Sequence, residues 1–147
     1  DIDDAVLQLL DDMVDTMYDA VGIGLAAPQI GISKRLIVMD CAREGEEPEI
    51  WKMINPEIIA RSENTSKMEE GCLSIPGYNA DVTRPAEVEV EFMDIEGNRQ
   101  KMTASGLLAA CVQHEIDHLN GVLFIDHLSR LKRDMILRKI AKDERYL

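Results

Sequence analysis

The strongest constraint on this chain is a short polar pattern near its C-terminal end, within residues 113–122. The pattern is His-Glu-x-x-His, with His114 and His118 four positions apart. Such positions lie one turn apart on the same face of a helix, so the two imidazoles can hold one metal ion between them. Glu115 stands beside them, close enough to take a proton from water that reacts at the ion. The pattern predicts a metal-dependent hydrolase with this helix at its centre.

The residues around the pattern indicate that the helix is buried on its metal-binding side. Side chains recur at steps of four, three and four along one face: Leu107, Cys111, His114 and His118. Ser105 is suited to cap the helix and Gly121 to end it. Two buried imidazoles and a carboxylate would be costly without a partner, so a metal site is favoured over an ordinary polar helix.

The third protein ligand would decide the class of metal enzyme. Metzincin proteases have a third histidine six residues after the second, but this chain has Phe124 there and His127 is out of register. Thermolysin-type proteases use a downstream glutamate, for which Glu144 in the charged terminal stretch is the candidate. A metalloprotease of another class is therefore a weaker alternative.

A cysteine is the other available kind of third ligand. Cys72 lies in a glycine-containing stretch, Cys41 borders a predicted strand, and Cys111 lies on the metal helix, where it is suited to pack as a small apolar side chain. One thiolate with two imidazoles gives a tetrahedral site whose fourth position is open to water.

The apolar periodicities predict a single α+β domain over residues 1–147, in which antiparallel β-sheets pack around the central metal-binding helix. Helices are predicted over 2–20, 105–121 and 129–143. Strands are predicted over 36–39, 53–60, 87–92 and 99–103, the second of them as an edge or bulged strand because it contains Asn-Pro. Residues 41–49 are predicted as a charged loop, 22–29 and 70–77 as mostly irregular, and 122–125 as a short extended run.

The composition places the chain outside several functional classes. Its formal net charge is −12, although residues 129–147 carry seven Lys or Arg against three Asp or Glu. An acidic body argues against broad binding to nucleic-acid backbones, with the basic terminal segment as a local exception. No sequence-specific nucleic-acid partner is expected. No run of apolar residues is long enough to predict a membrane span. Three cysteines form no disulfide framework, which favours a reducing compartment such as the cytoplasm.

Three segments together resemble the signature motifs of bacterial-type, type I-like peptide deformylases. They are Gly-Ile-Gly-Leu-Ala-Ala-Pro-Gln at 22–29, Glu-Gly-Cys-Leu-Ser at 70–74 and Gln-His-Glu-Ile-Asp-His-Leu-x-Gly at 113–121. They occur in the family's order, and the resemblance extends over nearly the whole chain. It implies hydrolysis of the N-formyl group from new polypeptides that begin with formyl-methionine, with release of formate.

The resemblance also implies the roles of individual residues. The implied metal ligands are Cys72, His114 and His118. The implied catalytic groups are Glu115 as general base and acid, with the side-chain amide of Gln29 and the backbone N–H of Leu73 as the oxyanion hole. The residues implied to bind substrate are Ile23, Glu70, Leu107 and Cys111 around an apolar slot, with Gly24 and Gly71 offering backbone hydrogen bonds.

The cofactor and partners follow partly from chemistry and partly from the resemblance. A Cys/His/His set suits zinc by geometry and softness. The resemblance instead implies ferrous iron as the working metal, with zinc or nickel as substitutes. It also implies a monomer in the bacterial cytoplasm, with an organellar location left open, and docking of the basic C-terminal helix on the ribosome. A solvated helix face is the alternative interpretation of residues 129–147.

The chain departs from the family's pattern in two places. A stretch that usually precedes the first helix and ends in a strand is absent here, so we expect either that upstream sequence has been removed or that the enzyme is unusually short. Asn79 stands where some members have an arginine that binds peptide, while Arg84 is assigned equally to the peptide or to the surface. A non-catalytic module descended from a deformylase is a further alternative, disfavoured because every catalytic residue type is present.

Overall fold

Helix α2 (Gly106–Leu119), which carries both histidines, packs against a five-stranded antiparallel sheet. The computed structural model describes residues 2–43, 45–72 and 75–142, without the side chains of 75–77. The predicted α+β class is confirmed. The other elements, in chain order, are α1 (Asp4–Asp19), β1 (Gly24–Ala26), β2 (Leu36–Asp40), β3 (Ile50–Arg61), β4 (Thr65–Cys72), β5 (Ile75–Pro85), β6 (Glu87–Met93), β7 (Arg99–Ser105) and α3 (Arg130–Lys142).

The large sheet has the strand order β1-β2-β3-β6-β7, and each neighbouring pair is antiparallel. In β6, Val88, Val90 and Phe92 are buried and alternate with more exposed residues, as a half-buried strand requires. In the turn that follows, the Asp94 carboxylate accepts two backbone N–H groups at 2.9 Å each. The predicted β6–β7 hairpin is confirmed.

Helix α1 covers one end of this sheet with a stripe of apolar side chains. Its first turn is capped by Asp3, whose carboxylate accepts the Val6 N–H at 2.9 Å. The stripe comprises Val6, Leu10, Met13, Val14 and Met17. It packs with residues of β1 and β2, and every residue of β2 is buried, as predicted.

Strand β3 is bulged, as predicted, but it is not an edge strand. It lies in the middle of the sheet between β2 and β6, and its register with β6 shifts between Ile54 and Glu57. Asn55 adopts a positive φ of 51° at this point, a conformation that asparagine tolerates better than most residues. Because the bulge takes Pro56 out of the regular ladder, the missing N–H of proline is accommodated inside a central strand.

Strands β4 and β5 form a separate two-stranded sheet that the sequence did not predict. The stretch 70–77 was expected to be mostly irregular, yet β4 reaches Cys72 and pairs with β5 from Thr65 to Gly71 before the register shifts. The strands were missed because few of their residues are apolar, so no alternating apolar pattern is visible. The segment 22–29 also differs from its prediction, since it forms β1 and a 3₁₀ turn over Ala27–Ile30.

The chain after α2 differs from its prediction as well. Residues 122–125 were expected to be extended, but Phe124–His127 form a 3₁₀ turn in which the Asp126 carboxylate accepts the Leu123 N–H at 2.9 Å. Ser105 occupies the N-cap position of α2, although its side chain makes no capping hydrogen bond. In the described part of the chain, no helix is long and apolar enough to span a membrane.

Helix α3 lies on the outside of the molecule, and none of its described residues is buried. Ile136 and Ile140 are half-buried against a small cluster that contains Phe124 and Ile125. Leu131 is 70% exposed. The predicted amphipathic helix is therefore present, but its apolar side is only partly covered.

Replacement of Leu10 by alanine tests the packing of α1 on the sheet. Leu10 is 0% exposed, so the Leu10→Ala variant loses transfer free energy and leaves a cavity. We expect the free energy of unfolding to fall by about 2–5 kcal/mol in urea denaturation. The matched Leu131→Ala change on α3 should cost less than about 0.5 kcal/mol. Equal losses at the two sites would contradict the assigned core.

Candidate metal centre

Three metal-ligating side chains converge where the end of β4 meets α2. The Cys72 Sγ lies 3.1 Å from His118 Nε2, which lies 3.2 Å from His114 Nε2. The donor atoms of these three residues all lie within 4.8 Å of one another, and no other such group was found among the described residues. Of the three cysteines that the sequence left open, the structure thus brings Cys72 to the histidines, whereas Cys41 and Cys111 lie outside the group.

The donor set fits a divalent cation on the chemistry of its atoms. Two imidazole nitrogens and one thiolate are the ligands that zinc and related metals prefer. The Nδ1 of His114 lies 2.9 Å from a Glu70 carboxylate oxygen, an arrangement that fixes the ring with its Nε2 toward the other donors. Glu115 Oε1 is buried and has no hydrogen-bond partner among the described residues. Buried polar atoms are usually paired, and an exception such as this one is often found at a functional site.

Burial and charge determine the protonation of the centre. Burial raises the pKa of Glu115 to about 7, against the opposing influence of the two imidazoles. Burial alone would lower the pKa of His114, but hydrogen bonds with Cys72 and Glu70 outweigh it and raise that pKa to about 10. The negative groups around His114 therefore dominate its local field, which favours a cation at this point.

A largely buried network of ion pairs positions Glu70, which contacts the His114 ring. Arg84 Nε and Nη2 donate to the two Glu70 oxygens at 2.7 and 2.8 Å, and Arg84 Nη1 donates to Asp117 at 2.8 Å. Asp117 also lies 2.7 Å from His127 Nε2. Burial alone would raise the pKa of Glu70, but the bonds from Arg84 and His114 hold it below its usual value. Glu70, expected at the substrate, thus also binds a candidate metal ligand.

Arg84 is the residue of this network that the sequence analysis misplaced. It was assigned equally to the peptide or to the surface, but it is 5% exposed and fully paired in the ion-pair network. The surface assignment is wrong. A signal was present, because Val82 and Arg84 are two positions apart on β5 and side chains two apart on a strand share one face. Val82 is buried, so the arginine on the same face is buried too.

Two glycines allow close approaches at the centre. A Cβ on Gly24 would lie 2.4 Å from Glu115 Oε2, closer than two such atoms can come. A Cβ on Gly71 would lie 2.0 Å from Asn79 Oδ1. Gly24 brings the backbone of β1 against the buried carboxylate of Glu115, which leaves no room for a side chain at this position. The Asn79 side chain beside Gly71 is exposed and can turn away, so the space at Gly71 is less restricted.

Of the two predicted oxyanion-hole donors, the structure describes Gln29. Gln29 Nε2 donates to Cys72 Sγ at 3.3 Å, and Gln29 Oε1 accepts the Ala26 N–H at 2.9 Å. This second bond orients the amide so that its NH₂ group points at the Cys72 sulfur. Leu73, whose backbone N–H was expected to be the second donor, lies outside the described residues.

A small cavity of ≈ 100 Å³ opens beside the centre. Five of the six expected substrate-binding residues line it: Ile23, Glu70, Gly71, Leu107 and Cys111. Gly24, the sixth, packs against Glu115 instead. Met68, Glu69 and Ala110 also line the cavity and were not predicted. Larger grooves of ≈ 550 and ≈ 670 Å³ lie elsewhere and contain neither histidine nor cysteine, so they offer no comparable chemistry.

Phe124 shows why the metzincin pattern fails in three dimensions as well as in sequence. Its ring stacks on that of His114 at a centroid distance of 6.2 Å and an angle of 20°. The position that would carry a third histidine in those proteases thus supplies an apolar wall behind the first histidine. The other protease candidate, Glu144, lies outside the described residues.

The chain is similar to known proteins of one family over most of its length. Residues 1–134 match the family model described as polypeptide deformylase. The chain is 59% identical over 144 residues to the peptide deformylase of Agrobacterium fabrum, a match that covers 98% of this chain and 85% of that protein. It is 59% identical over 141 residues to the peptide deformylase of Rhizobium meliloti, covering 96% of this chain and 81% of that protein.

Solved structures give the same result. The crystal structure of peptide deformylase from Ehrlichia chaffeensis has a TM-score of 0.91 and 42% identity, covering 98% of this chain and 86% of that one. A peptide deformylase from Legionella pneumophila has a TM-score of 0.88 and 48% identity, covering 99% and 84%. The fold agrees with both structures, and the chain belongs to the polypeptide deformylase family.

Proposed function

We propose that Cys72, His114 and His118 hold one divalent cation and that Glu115 moves the proton in deformylation. Members of this family are hydrolases that remove the N-formyl group from the formyl-methionine of new polypeptides. The observation that carries the assignment of residues is the convergence of three donors beside the buried, unpaired Glu115 Oε1. We assign this activity to the chain as a single catalytic domain that acts as a monomer in the cytoplasm.

The reaction converts a formamide and water into an amine and formate, and the residues divide its proton transfers between them. A cation at the three donors would supply Lewis acidity that activates water and polarises the formyl oxygen. Glu115 takes a proton from the attacking water and returns it to the departing amine nitrogen. A Glu115 pKa of about 7 is suited to both directions of transfer near neutral pH.

Negative charge develops on the formyl oxygen as the carbonyl carbon becomes tetrahedral. Gln29 Nε2, which already points at the donors, is placed to hydrogen-bond this oxygen. The backbone N–H of Leu73 is the second proposed donor, on the strength of the family motif. Each such donor typically contributes about 3 kcal/mol to the stabilisation of the transition state.

The cavity beside the centre is proposed to bind the methionine side chain. Ile23, Leu107 and Cys111 supply apolar walls, and the first two remain 43% exposed at its mouth. Gly24 and Gly71 lack side chains that would separate the substrate from their backbone, so both can offer hydrogen bonds to an extended peptide. Glu70 borders the cavity, but its two oxygens are engaged by Arg84 and His114, so we assign it chiefly to positioning His114.

The identity of the cation and the ribosome contact are separate proposals. The family resemblance supports ferrous iron as the working metal, whereas the donor set alone suits zinc. Docking on the ribosome is supported by the exposure of α3 and by its Lys and Arg side chains, including Arg138 and Lys139. A solvated helix face would show the same exposure, so ribosome binding stays a prediction.

Replacement of Glu115 by glutamine tests the proton transfer. The Glu115→Gln variant keeps the shape of the side chain but cannot accept a proton. We expect formate release from a formyl-methionyl peptide to fall about 10²- to 10⁴-fold, with metal content unchanged. The exposed Glu63→Gln change is the matched control and should retain full activity.

An unformylated peptide in the same assay separates the alternative functions. Formate release without cleavage of that peptide supports deformylation. Cleavage of the unformylated peptide would support the metalloprotease alternative, and neither reaction in metal-loaded protein would support a non-catalytic module. A fully active Glu115→Gln variant would refute the assigned role of the carboxylate.

Replacement of Glu70 tests its positioning of His114. A Glu70→Gln variant can no longer accept a charge-assisted bond from the imidazole, and such changes typically lower metal affinity about 10- to 100-fold. We expect that loss in a competition titration with a metal-binding dye, and added metal should restore most of the turnover. Glu57→Gln on β3, which is exposed, is the control. Unchanged metal affinity with a raised KM would instead assign Glu70 to substrate binding.

Removal of the cation tests the three donors directly. A ligand that binds only the folded state stabilises it by about 2.7 kcal/mol at a hundredfold excess over Kd. Chelation should therefore lower the unfolding temperature and abolish formate release. Anaerobic addition of Fe²⁺, Zn²⁺ or Ni²⁺ should raise the unfolding temperature again, and the turnover with each ion ranks them. The His118→Ala variant should show a much smaller thermal shift, and an equal shift would place the ion elsewhere.

A further inference from the structure

Two thiols that the proposed chemistry does not use as ligands meet behind the substrate cavity. Cys41 follows the end of β2, and Cys111 lies in the middle of α2. Each thiol shifts the pKa of the other, and Cys41 packs against the core cluster that contains Cys111. Both cysteines are free thiols, 70 positions apart in the chain, and neither belongs to the metal-donor group.

The backbone of Ile23 explains why the two thiols meet at this place. Its carbonyl oxygen accepts the Asp40 N–H at 2.9 Å and the Cys111 thiol at 3.6 Å. The residue next to Cys41 and the thiol of Cys111 are thus bound to the same oxygen. Because one carbonyl oxygen holds both the end of β2 and the Cys111 side chain, the two cysteines are held on the same side of Ile23.

The two thiols differ in their access to solvent. Cys41 is half-buried and lines a surface groove of ≈ 170 Å³ together with Arg43, Leu107 and Leu108. Cys111 is only 6% exposed. A small oxidant in solution therefore reaches Cys41 first, and Cys111 is the thiol behind it.

The chemistry of the pair supports the same order. The hydrogen bond with Cys111 lowers the pKa of Cys41, despite burial and the nearby charges of Asp40 and Glu115. The same bond and burial raise the pKa of Cys111. The thiolate is the form that reacts with oxidants, so Cys41 is the more reactive member.

We propose that Cys41 and Cys111 form a reversible disulfide when the protein meets a peroxide, and that this bond slows the enzyme. The Cys41 sulfur attacks one peroxide oxygen, the O–O bond breaks, and a sulfenic acid and water are formed. The Cys111 sulfur then displaces the hydroxyl group, which leaves as a second water with the thiol's proton. Two thiols are oxidised in total, and one hydrogen peroxide is reduced to two waters.

The position of Cys111 links the bond to catalysis. A Cβ on Gly24 would lie 3.0 Å from the Cys111 sulfur and 2.4 Å from a Glu115 carboxylate oxygen, so thiol and carboxylate contact the same point of β1. A disulfide draws two sulfurs to about 2.05 Å, well inside any hydrogen-bond distance. Cys111 would have to leave the Ile23 carbonyl oxygen, and the cavity wall beside Glu115 would shift with it.

The experiment uses zinc-loaded protein, because zinc has no redox chemistry of its own. The protein is treated with a small excess of hydrogen peroxide, its remaining thiols are blocked, and it is digested without reduction. Mass spectrometry should find the Cys41 and Cys111 peptides joined, lighter by two hydrogen atoms than their sum. Formate release should fall by about tenfold or more, as expected for a displacement on the order of 1 Å in an active site, and dithiothreitol should restore it.

The Cys41→Ser variant is the matched control, since it removes one sulfur and leaves the proposed ligands and the cavity residues intact. It should start with the activity of the unsubstituted chain and lose much less on peroxide treatment. Equal, irreversible loss in both proteins would assign the damage to Cys72 and overturn the proposal. Absence of the joined peptides, or a bond to Cys72 in their place, would overturn it without reference to activity. A Cys41–Cys111 bond with full turnover would refute its effect on catalysis.

Discussion

The carboxylate of Glu70 joins the two sheets of this protein through helix α2. It lies on β4, accepts two hydrogen bonds from Arg84 on β5, and lies 2.9 Å from the His114 ring on α2. Arg84 also donates a hydrogen bond to Asp117 on α2. Each of these buried charges would be costly alone, so the small sheet is held to the helix in one arrangement that pairs them all. Cys72, two residues beyond Glu70, is thereby carried to the histidines.

The same arrangement leaves one polar atom unpaired. Every other buried side-chain nitrogen or oxygen of the described residues has a hydrogen-bond partner, whereas Glu115 Oε1 has none. Buried polar atoms in folded proteins are usually paired, and exceptions are often found at functional sites. The ion pairs of this cluster therefore position His114, whereas the neighbouring Glu115 carboxylate takes no part in them. Within this cluster of acidic side chains, the paired Glu70 is proposed to position His114. The unpaired Glu115 is proposed to transfer the proton.

The parts of the fold that the sequence predicted are those with a regular apolar period. Helix α1, strand β2 and the β6–β7 hairpin bury an apolar face of their own, so their patterns are visible without tertiary information. Strands β4 and β5 lack such an apolar face, because much of what they bury is charged. Glu70 and Arg84 are charged side chains, and they are buried because they pair with each other and with α2. The third metal donor was ambiguous for a related reason. Spacing identifies His114 and His118 on one helix, whereas the approach of a cysteine from a distant strand depends on pairing that a single sequence does not display.

The segment 22–29 shows how a short stretch without strong secondary-structure preference can control several functions. Gly24 admits the Glu115 carboxylate, the Ala26 N–H orients the Gln29 amide, and the Ile23 carbonyl oxygen holds the Cys111 thiol. These contacts use backbone atoms or the absence of a side chain, so they need small residues and a fixed strand. That strand is fixed because β1 pairs with the fully buried β2. The proposed base, the proposed oxyanion donor and the Cys111 thiol therefore all contact β1 or the residue before it, and a change that moves this strand would alter all of them together.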